Sequence, residues 1–517
     1  MTATIDPAEH EAVVFDLDGV ITDTASVHRA AWRRMFDDYL AEREPREGED
    51  HRPFTDRDYL RDIDGKPRLD GIRSFLTSRG IEVDEEAVAE LGDRKNGYFL
   101  DALDRDGVVV FDTTVELVHR LHLQGIRTAV FSASRNCGPV LERAGLSHLF
   151  EARVDGVTAA ELGLPGKPDP TVPIEAASRI DAEPGRTVIV EDALAGVEAG
   201  RRGGFALVLG VDREGSADEL REHGADVVVE DLAEVVVAVA ERPLSQVADA
   251  EQHWEAVTAL ISDREVVLFL DFDGTLAPIV DDPDAAAAPP ETQEVLERLA
   301  RSCTVAIVSG RDLADVRHRV EIDGAWFAGS HGFELVSPDG EHHEQQVVGD
   351  AIPALDEAER ELTDRLGDEP GVRVERKRFA LAVHTRQADD QATERAEGAV
   401  EQVGEEDERL RVTGGRAVKE LRPNVDWDKG TALRFMLDRL AADGDGRRGR
   451  TVPVYAGDDL TDEDALRAVH RDGIGIVVAN DEHGDRPTVA HVSVAGPDDL
   501  RDVLTRLADT LEELAAS

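Results

Sequence analysis

Two pairs of aspartates, each with one residue between them, end short apolar runs: Asp16 and Asp18 in VVFDLDG (13–19), and Asp271 and Asp273 in LFLDFDG (268–274). An aspartate at a strand tip can attack phosphorus to form an aspartyl-phosphate. A second aspartate two residues on, past the bend, can trade protons with the leaving oxygen or with water. The phosphoryl group would repel both carboxylates unless a cation intervened, and Mg²⁺ suits the place because it takes a few carboxylates, waters and the phosphate itself. Later acidic pairs supply the rest of the metal side: Glu191 and Asp192 in the first half, and Asp458, Asp459 and Asp462 of the GDDLTDED stretch in the second. The expected metal sets are Asp16, Asp18, Glu191 and Asp192, and Asp271 and Asp273 with that acidic stretch. A hydroxyl at the end of a second strand, Ser132 or Ser309, can bond a phosphoryl oxygen, and Lys167 or Lys429 can neutralise developing charge. A lone DxDG is more often a turn. Four such elements recurring twice in the same order, in a chain with only six lysines, reverse that judgement.

These residues require strands to carry them. At 517 residues the chain is long enough for two or more domains. Each half reads as short apolar strands ending in polar residues and separated by helical stretches, which predicts two tandem α/β domains with parallel, doubly wound sheets. Ligands of such sheets bind at the carboxyl strand ends. The expected boundaries are a first domain over 1–235 with a mostly helical insert at about 26–105, a helical linker over 236–262 broken at Arg242-Pro243, and a second domain over 263–517 with an α/β insert at about 340–425. Within that second insert the pattern predicts strands in VRVERKRFALAVHTR, a helix over 390–406, and a hairpin turning at Gly414-Gly415.

The 110 acidic residues against 58 basic ones leave a formal charge of -52. Such a field repels phosphate backbones and anionic headgroups, so nucleic-acid and membrane partners are not expected. An acidic excess of this size reads as a surface adapted to molar salt, where self-repulsion is screened. Only Cys137 and Cys303 are present, without CxxC spacing, which argues against a disulfide framework or a zinc site. The first apolar stretch is too short for a signal peptide and no window approaches a membrane span. A cytoplasmic protein acting on small molecules is expected, with its oligomeric state open.

The motifs together resemble two members of the haloacid dehalogenase superfamily fused head to tail, which implies a Rossmann-like core in each half and Mg²⁺-dependent phosphoryl transfer through an aspartyl-phosphate beneath a mobile cap, the helical insert being the first cap and the α/β insert the second. LDFDGTLAPIV, SGRDLADVR, GSHGFEL, ERKRFALAVHTR, ELRPNVDWDKG and GDDLTDED make the second half similar to trehalose-6-phosphate phosphatases. That resemblance implies Asp271 as nucleophile, Asp273 as acid/base, Ser309 and Lys429 as phosphoryl contacts, Asp458 as the further metal ligand beside Asp271 and Asp273, and Arg311, His331, Lys377, His384, Arg386 and Glu420 as sugar contacts. On period alone, His384 and Arg386 are equally the polar face of a half-buried strand.

The first half, with FDLDGVITDTASVH, FSASRN, GKPDP and VEDALAGVEAG, resembles the beta-phosphoglucomutase group and related sugar-phosphate hydrolases. Asp16, Asp18, Ser132 and Lys167 would be its catalytic groups, with His28, Arg68, Lys95 and Asn96 facing the site from the cap. Val20 after the motif glycine leans toward a mutase, whereas Arg135 replaces the lysine usual in that group's SASKN stretch. The rival expectations are a non-catalytic regulatory module in the first half, and a nucleotidase in either half.

Overall fold

The computed structural model describes residues 3–63, 66–213, 215–262, 264–280, 285–344, 349, 351–415, 417–443, 451–480 and 484–516. The chain divides into two compact units, Met1–Ala240 and Glu241–Ser517.

The first unit is built on six parallel strands: β1 (Ala12–Asp16), β2 (Arg127–Phe131), β3 (Ala152–Val154), β4 (Thr187–Glu191), β5 (Leu207–Val211) and β6 (Val227–Val229), in the order β3-β2-β1-β4-β5-β6. Alternation along β1 sends Val13 and Phe15 to one apolar layer with Leu117 and Leu121, and Ala12 and Val14 to the other with Val172 and Val197. Burial on both faces explains the unbroken apolar runs. Between β1 and β2 lie the helices Thr24–Glu42, Arg68–Ser78 and Glu85–Asp106. Their own core holds Trp32, Phe36, Phe54 and Phe75, with the Phe36 and Phe75 rings 4.0 Å apart.

The main sheet of the second unit has nine strands: β7 (Ala248–Asp249), β8 (Glu265–Leu270), β9 (Thr304–Val308), β10 (Trp326–Gly329), β11 (Glu334–Val336) and β12 (His342–Glu344), then, after the cap, β17 (Thr451–Gly457), β18 (Ile474–Val478) and β19 (Val492–Val494). Their order is β7-β19-β18-β17-β8-β9-β10-β11-β12. All neighbours pair parallel except the antiparallel β10-β11-β12 meander. The cap strands β13 (Arg373–Lys377), β14 (Ala380–His384), β15 (Leu410–Gly415) and β16 (Val418–Pro423) form an antiparallel sheet ordered β13-β14-β16-β15. Helices Ala351–Leu366 and Asp390–Glu406 cover one face of it, burying Leu355, Leu362 and Val400 against Leu381, Val383 and Leu421. The opposite face, by the same two-residue period, carries Lys377, Glu375, His384, Glu420 and Arg422.

Two local expectations are corrected. The segment 236–262 is not a helical linker but is divided between the units. Val236-Val237 pairs with Thr4-Ile5, Arg242-Pro243 pairs with Thr488 and Pro487, Ala248-Asp249 extends the second sheet, and only Trp254–Ile261 is helical. Pro243 lacks an N–H to donate, which suits a two-residue edge strand and not a helix interior. Gly414 and Gly415 are not the hairpin turn either: they pair with Lys419 and Val418 as the end of β15. The chain reverses beyond them: Ala417 takes a φ of +57°, and residue 416 lies outside the described residues.

Candidate active site

Asp271 follows the last residue of β8 and is almost wholly buried, 4% exposed. Lys429, the first residue of the helix Lys429–Asp443, donates to Asp271 Oδ1 at 2.8 Å and to Asp462 Oδ1 at 2.6 Å. Asp462 in turn accepts from the Tyr455 hydroxyl and from the amides of Asp458 (3.0 Å) and Asp459 (2.8 Å), so one carboxylate fixes both the lysine and the acidic loop. Asp458 accepts from Thr275 at 3.1 Å and from Asn480 at 2.9 Å. Gly274, at φ +78°, is required here, because a Cβ on it would stand 2.0 Å from Asp458 Oδ2.

Asp271, Asp458 and Asp462 offer oxygens that all lie within 4.8 Å of one another. Three buried carboxylates face a single ammonium. Burial pushes the Asp271 carboxyl well above the usual carboxylate range and Asp458 up to about 8. Burial opposes the Lys429 charge, yet Asp271 and Asp462 hold its pKa above the ordinary lysine value. An all-oxygen, over-negative cluster of this kind fits a hard divalent cation. The Asp273 carboxylate, expected as a ligand, is not in the cluster. It is held instead by Arg311, which donates through Nε at 2.7 Å and Nη2 at 2.6 Å. Asp462 takes the third place.

Ser309 is fully buried and its Oγ accepts the Arg311 amide at 3.1 Å. His331 has a φ of +58° and its ring packs so closely on Gly310 that a Cβ there would come within 2.7 Å. Burial, then Arg422 and Lys429, push the His331 pKa well below the ordinary value, leaving the imidazole neutral. A small pocket joins His331, Gly310 and Phe333 of the sheet domain to Lys377, Glu420 and Arg422 of the cap. Lys377 donates to Glu420 Oε1 at 2.9 Å, and Arg422 Nε donates to Glu420 Oε2 at 2.8 Å. Burial opposes ionisation of Glu420, but these two cations hold its carboxyl far below the usual range. His384 shares this face, two register positions away, and its Nε2 lies 2.7 Å from Glu375 Oε2. Arg386 is not brought to the pocket: it lies in the exposed turn after β14.

The first unit repeats the plan with one change. Lys167 donates to Asp16 Oδ1 at 2.6 Å and also to Glu191. The lysine's second carboxylate therefore comes from the strand end itself, not from four residues beyond the metal aspartate. Asp16, Glu191 and Asp192 form the corresponding cluster, with Asp16 pushed up to about 8 by burial. A Cβ on Gly19 would fall 1.7 Å from Asp192 Oδ2. The Asp18 carboxylate, expected in the metal set, again stands outside the cluster because its Oδ1 accepts from the Thr24 hydroxyl. His28 Nε2 is 3.7 Å from that same oxygen, and the other His28 nitrogen meets Lys95. Lys95 is buried against the Trp32 and Phe99 rings, and burial, then Arg68, pushes its pKa down to about 7. Arg68 and Asn136 both donate to Asn96 Oδ1, at 2.9 and 2.8 Å. The Ser132 Oγ accepts the Ser134 amide at 3.0 Å.

Sequence reasoning missed Arg422, Tyr455, Thr275 and Asn480. Of these only Arg422 had a readable signal: it is two residues from Glu420 on one strand, so both must face the same way.

Residues 10–204 match haloacid dehalogenase-like hydrolases, and residues 269–498 match trehalose-phosphatases. Fold and sites together define a tandem of two haloacid dehalogenase-type domains. A trehalose-phosphate phosphatase of Mycobacterium leprae is 45% identical over 421 residues, covering 79% of this chain and 96% of that protein. The chain belongs to the trehalose-phosphate phosphatase family. A Mycobacterium tuberculosis protein described as an uncharacterized glycosyl hydrolase is 45% identical over 99% of this chain, which spans 39% of that protein's length. A solved beta-phosphoglucomutase from Clostridium difficile is 26% identical, matched over 43% of this chain and 92% of its own, with a TM-score of 0.36. Among the described residues, no helix is long and apolar enough to cross a membrane.

Proposed function

We propose that the second unit hydrolyses trehalose 6-phosphate to trehalose and phosphate in two displacements at phosphorus. The observation that carries this reading is the pairing of Asp271 with Lys429 beside Asp458 and Asp462, under a cap face bearing Lys377, Glu420 and Arg422. Mg²⁺ held by Asp271 and Asp458, with Asp462 adjoining, would screen the phosphoryl oxygens from the carboxylates.

Asp271 attacks phosphorus, and the bond from phosphorus to the sugar oxygen breaks. Asp273 gives its proton to that oxygen, then takes one from a water, whose oxygen attacks phospho-Asp271 and frees both phosphate and the carboxylate. Lys429 and Ser309 bind the phosphoryl oxygens, and Arg311 orients the Asp273 carboxylate. Lys377, Glu420 and Arg422 offer charged hydrogen bonds to a hydroxyl-rich substrate, and His331 a neutral one. Phosphate release over a panel of sugar phosphates, by wild type, Asp16→Asn and Asp271→Asn, tests the assignment. Trehalose 6-phosphate should be the preferred substrate, and only Asp271→Asn should lose it.

The Asp16, Lys167, Glu191 and Asp192 constellation favours a second reading for the first unit, phosphoryl transfer on another sugar phosphate, by mutase or phosphatase chemistry. Its lysine pairs with Asp16 at 2.6 Å, as Lys429 pairs with Asp271 at 2.8 Å in the other site, a pairing that a purely regulatory module does not need.

A further inference from the structure

Glu334 of β11 and Glu344 of β12 are register partners. Like charges directly opposite on antiparallel strands repel, and Glu334 is only 4% exposed, so this pair needs a cation between its members. The cation comes from the cap. Arg378, in the two-residue turn joining β13 to β14, reaches Glu334 through Nη1 and Glu344 through Nη2 at 2.8 Å, and its amide approaches Asp312 Oδ1 at 3.4 Å. The residues flanking Arg378 both line the pocket: Lys377, which bonds Glu420, and Phe379, whose ring lies 5.8 Å from that of Phe333.

We propose that Glu334 and Glu344 form a two-carboxylate socket that Arg378 enters when the cap closes, making this triad the latch that holds Lys377 and Phe379 over the sugar. Opening the cap withdraws the guanidinium from a buried carboxylate and restores the repulsion across the hairpin, so the open state carries an electrostatic penalty. Arg378 itself touches no reacting group and is a positioning residue. A substrate recognised by the cap depends on the latch, whereas a small aryl phosphate handled by the sheet domain alone does not. This inference rests on the hydrolase reading of the pocket only for its choice of substrates.

The test compares wild type with Arg378→Ala and Glu344→Gln in the full chain, by amide hydrogen exchange over 373–384 without substrate and by kinetics on trehalose 6-phosphate and p-nitrophenyl phosphate. Exchange should quicken. The kcat/KM for trehalose 6-phosphate should fall about tenfold, chiefly through KM, while that for the aryl phosphate stays within about twofold. If Arg378→Ala does not fold, Glu344→Gln, altered at a partly exposed edge strand, carries both readouts. Unchanged exchange overturns the latch, as does faster exchange with no change in the ratio between substrates. A wild type that hydrolyses neither compound overturns the hydrolase reading instead, and the exchange measurement still decides the latch.

Discussion

Arg311 grips Asp273 with two parallel N–H···O bonds, Nε to Oδ2 at 2.7 Å and Nη2 to Oδ1 at 2.6 Å, across 38 residues of chain. The plane of the proposed acid/base carboxylate is thereby set by a planar partner that also donates to Asp315 at 2.9 Å. The resemblance implies a sugar contact for Arg311, whereas its guanidinium here bonds Asp273, the proposed acid/base. A lysine keeps the charge and loses the fork. Arg311→Lys should therefore lower kcat on trehalose 6-phosphate about tenfold or more with little change in KM. A rise in KM at constant kcat would return Arg311 to substrate binding.

Chelation by EDTA should abolish hydrolysis and added Mg²⁺ should restore it, because Asp271, Asp458 and Asp462 oppose only one ammonium. Asp273→Asn should cost about 10²-fold in kcat as proton transfer is lost. Steady-state phosphate release checks both, and undiminished activity in metal-free buffer would sink the mechanism.

Glu420→Ala and Arg422→Ala should each raise KM for trehalose 6-phosphate far more than for p-nitrophenyl phosphate, since both line the pocket from the cap. Arg386→Ala, in an exposed turn, should leave both substrates within about twofold. The ratio of kcat/KM values for the two substrates is the quantity to measure. Equal losses on both would make Glu420 and Arg422 structural.

Lys95 makes the stability of the first unit depend on pH. Its folded pKa, about 7, lies below the ordinary lysine value of 10.5, so between these values the unfolded chain binds the extra proton. Stability should rise with pH across that window. Hydrogen exchange in the helix Glu85–Asp106 should slow, after correction for intrinsic rates, between pH 7.5 and 9.5 in wild type and not in Lys95→Met. A matching slope in Lys95→Met would assign the effect elsewhere.

Thermal stability should increase from dilute buffer to molar KCl, because the formal charge of -52 is screened over a Debye length that falls to about 3 Å at 1 M. A melting temperature that is flat or falling across that range would remove the high-salt reading.

The repeated aspartate pairs made the sheets legible, since a nucleophile needs a strand end and a strand end needs an apolar run before it. The lysines were legible because so few exist. What escaped were relationships set by register and by loops. The bond from Lys429 to Asp462 depends on a loop folding back so that Asp462 accepts the Asp458 and Asp459 amides, and no spacing rule encodes that turn. The segment 236–262 was misread because two-residue strands have no period to detect. The Glu334 and Glu344 pairing could not be foreseen without knowing that β11 and β12 form a meander.

Each proposed nucleophile finds its lysine far along the chain, 151 residues away for Asp16 and 158 for Asp271. In each unit the segment between the two includes the cap and at least two strands of the sheet. Contacts this distant in sequence form late, after the intervening loop entropy has been overcome. A partly folded unit can hold its β1 or β8 strand and still have no reactive centre. Regain of turnover on refolding should therefore lag the return of secondary structure, which makes activity a sensitive reporter of the last stage of assembly.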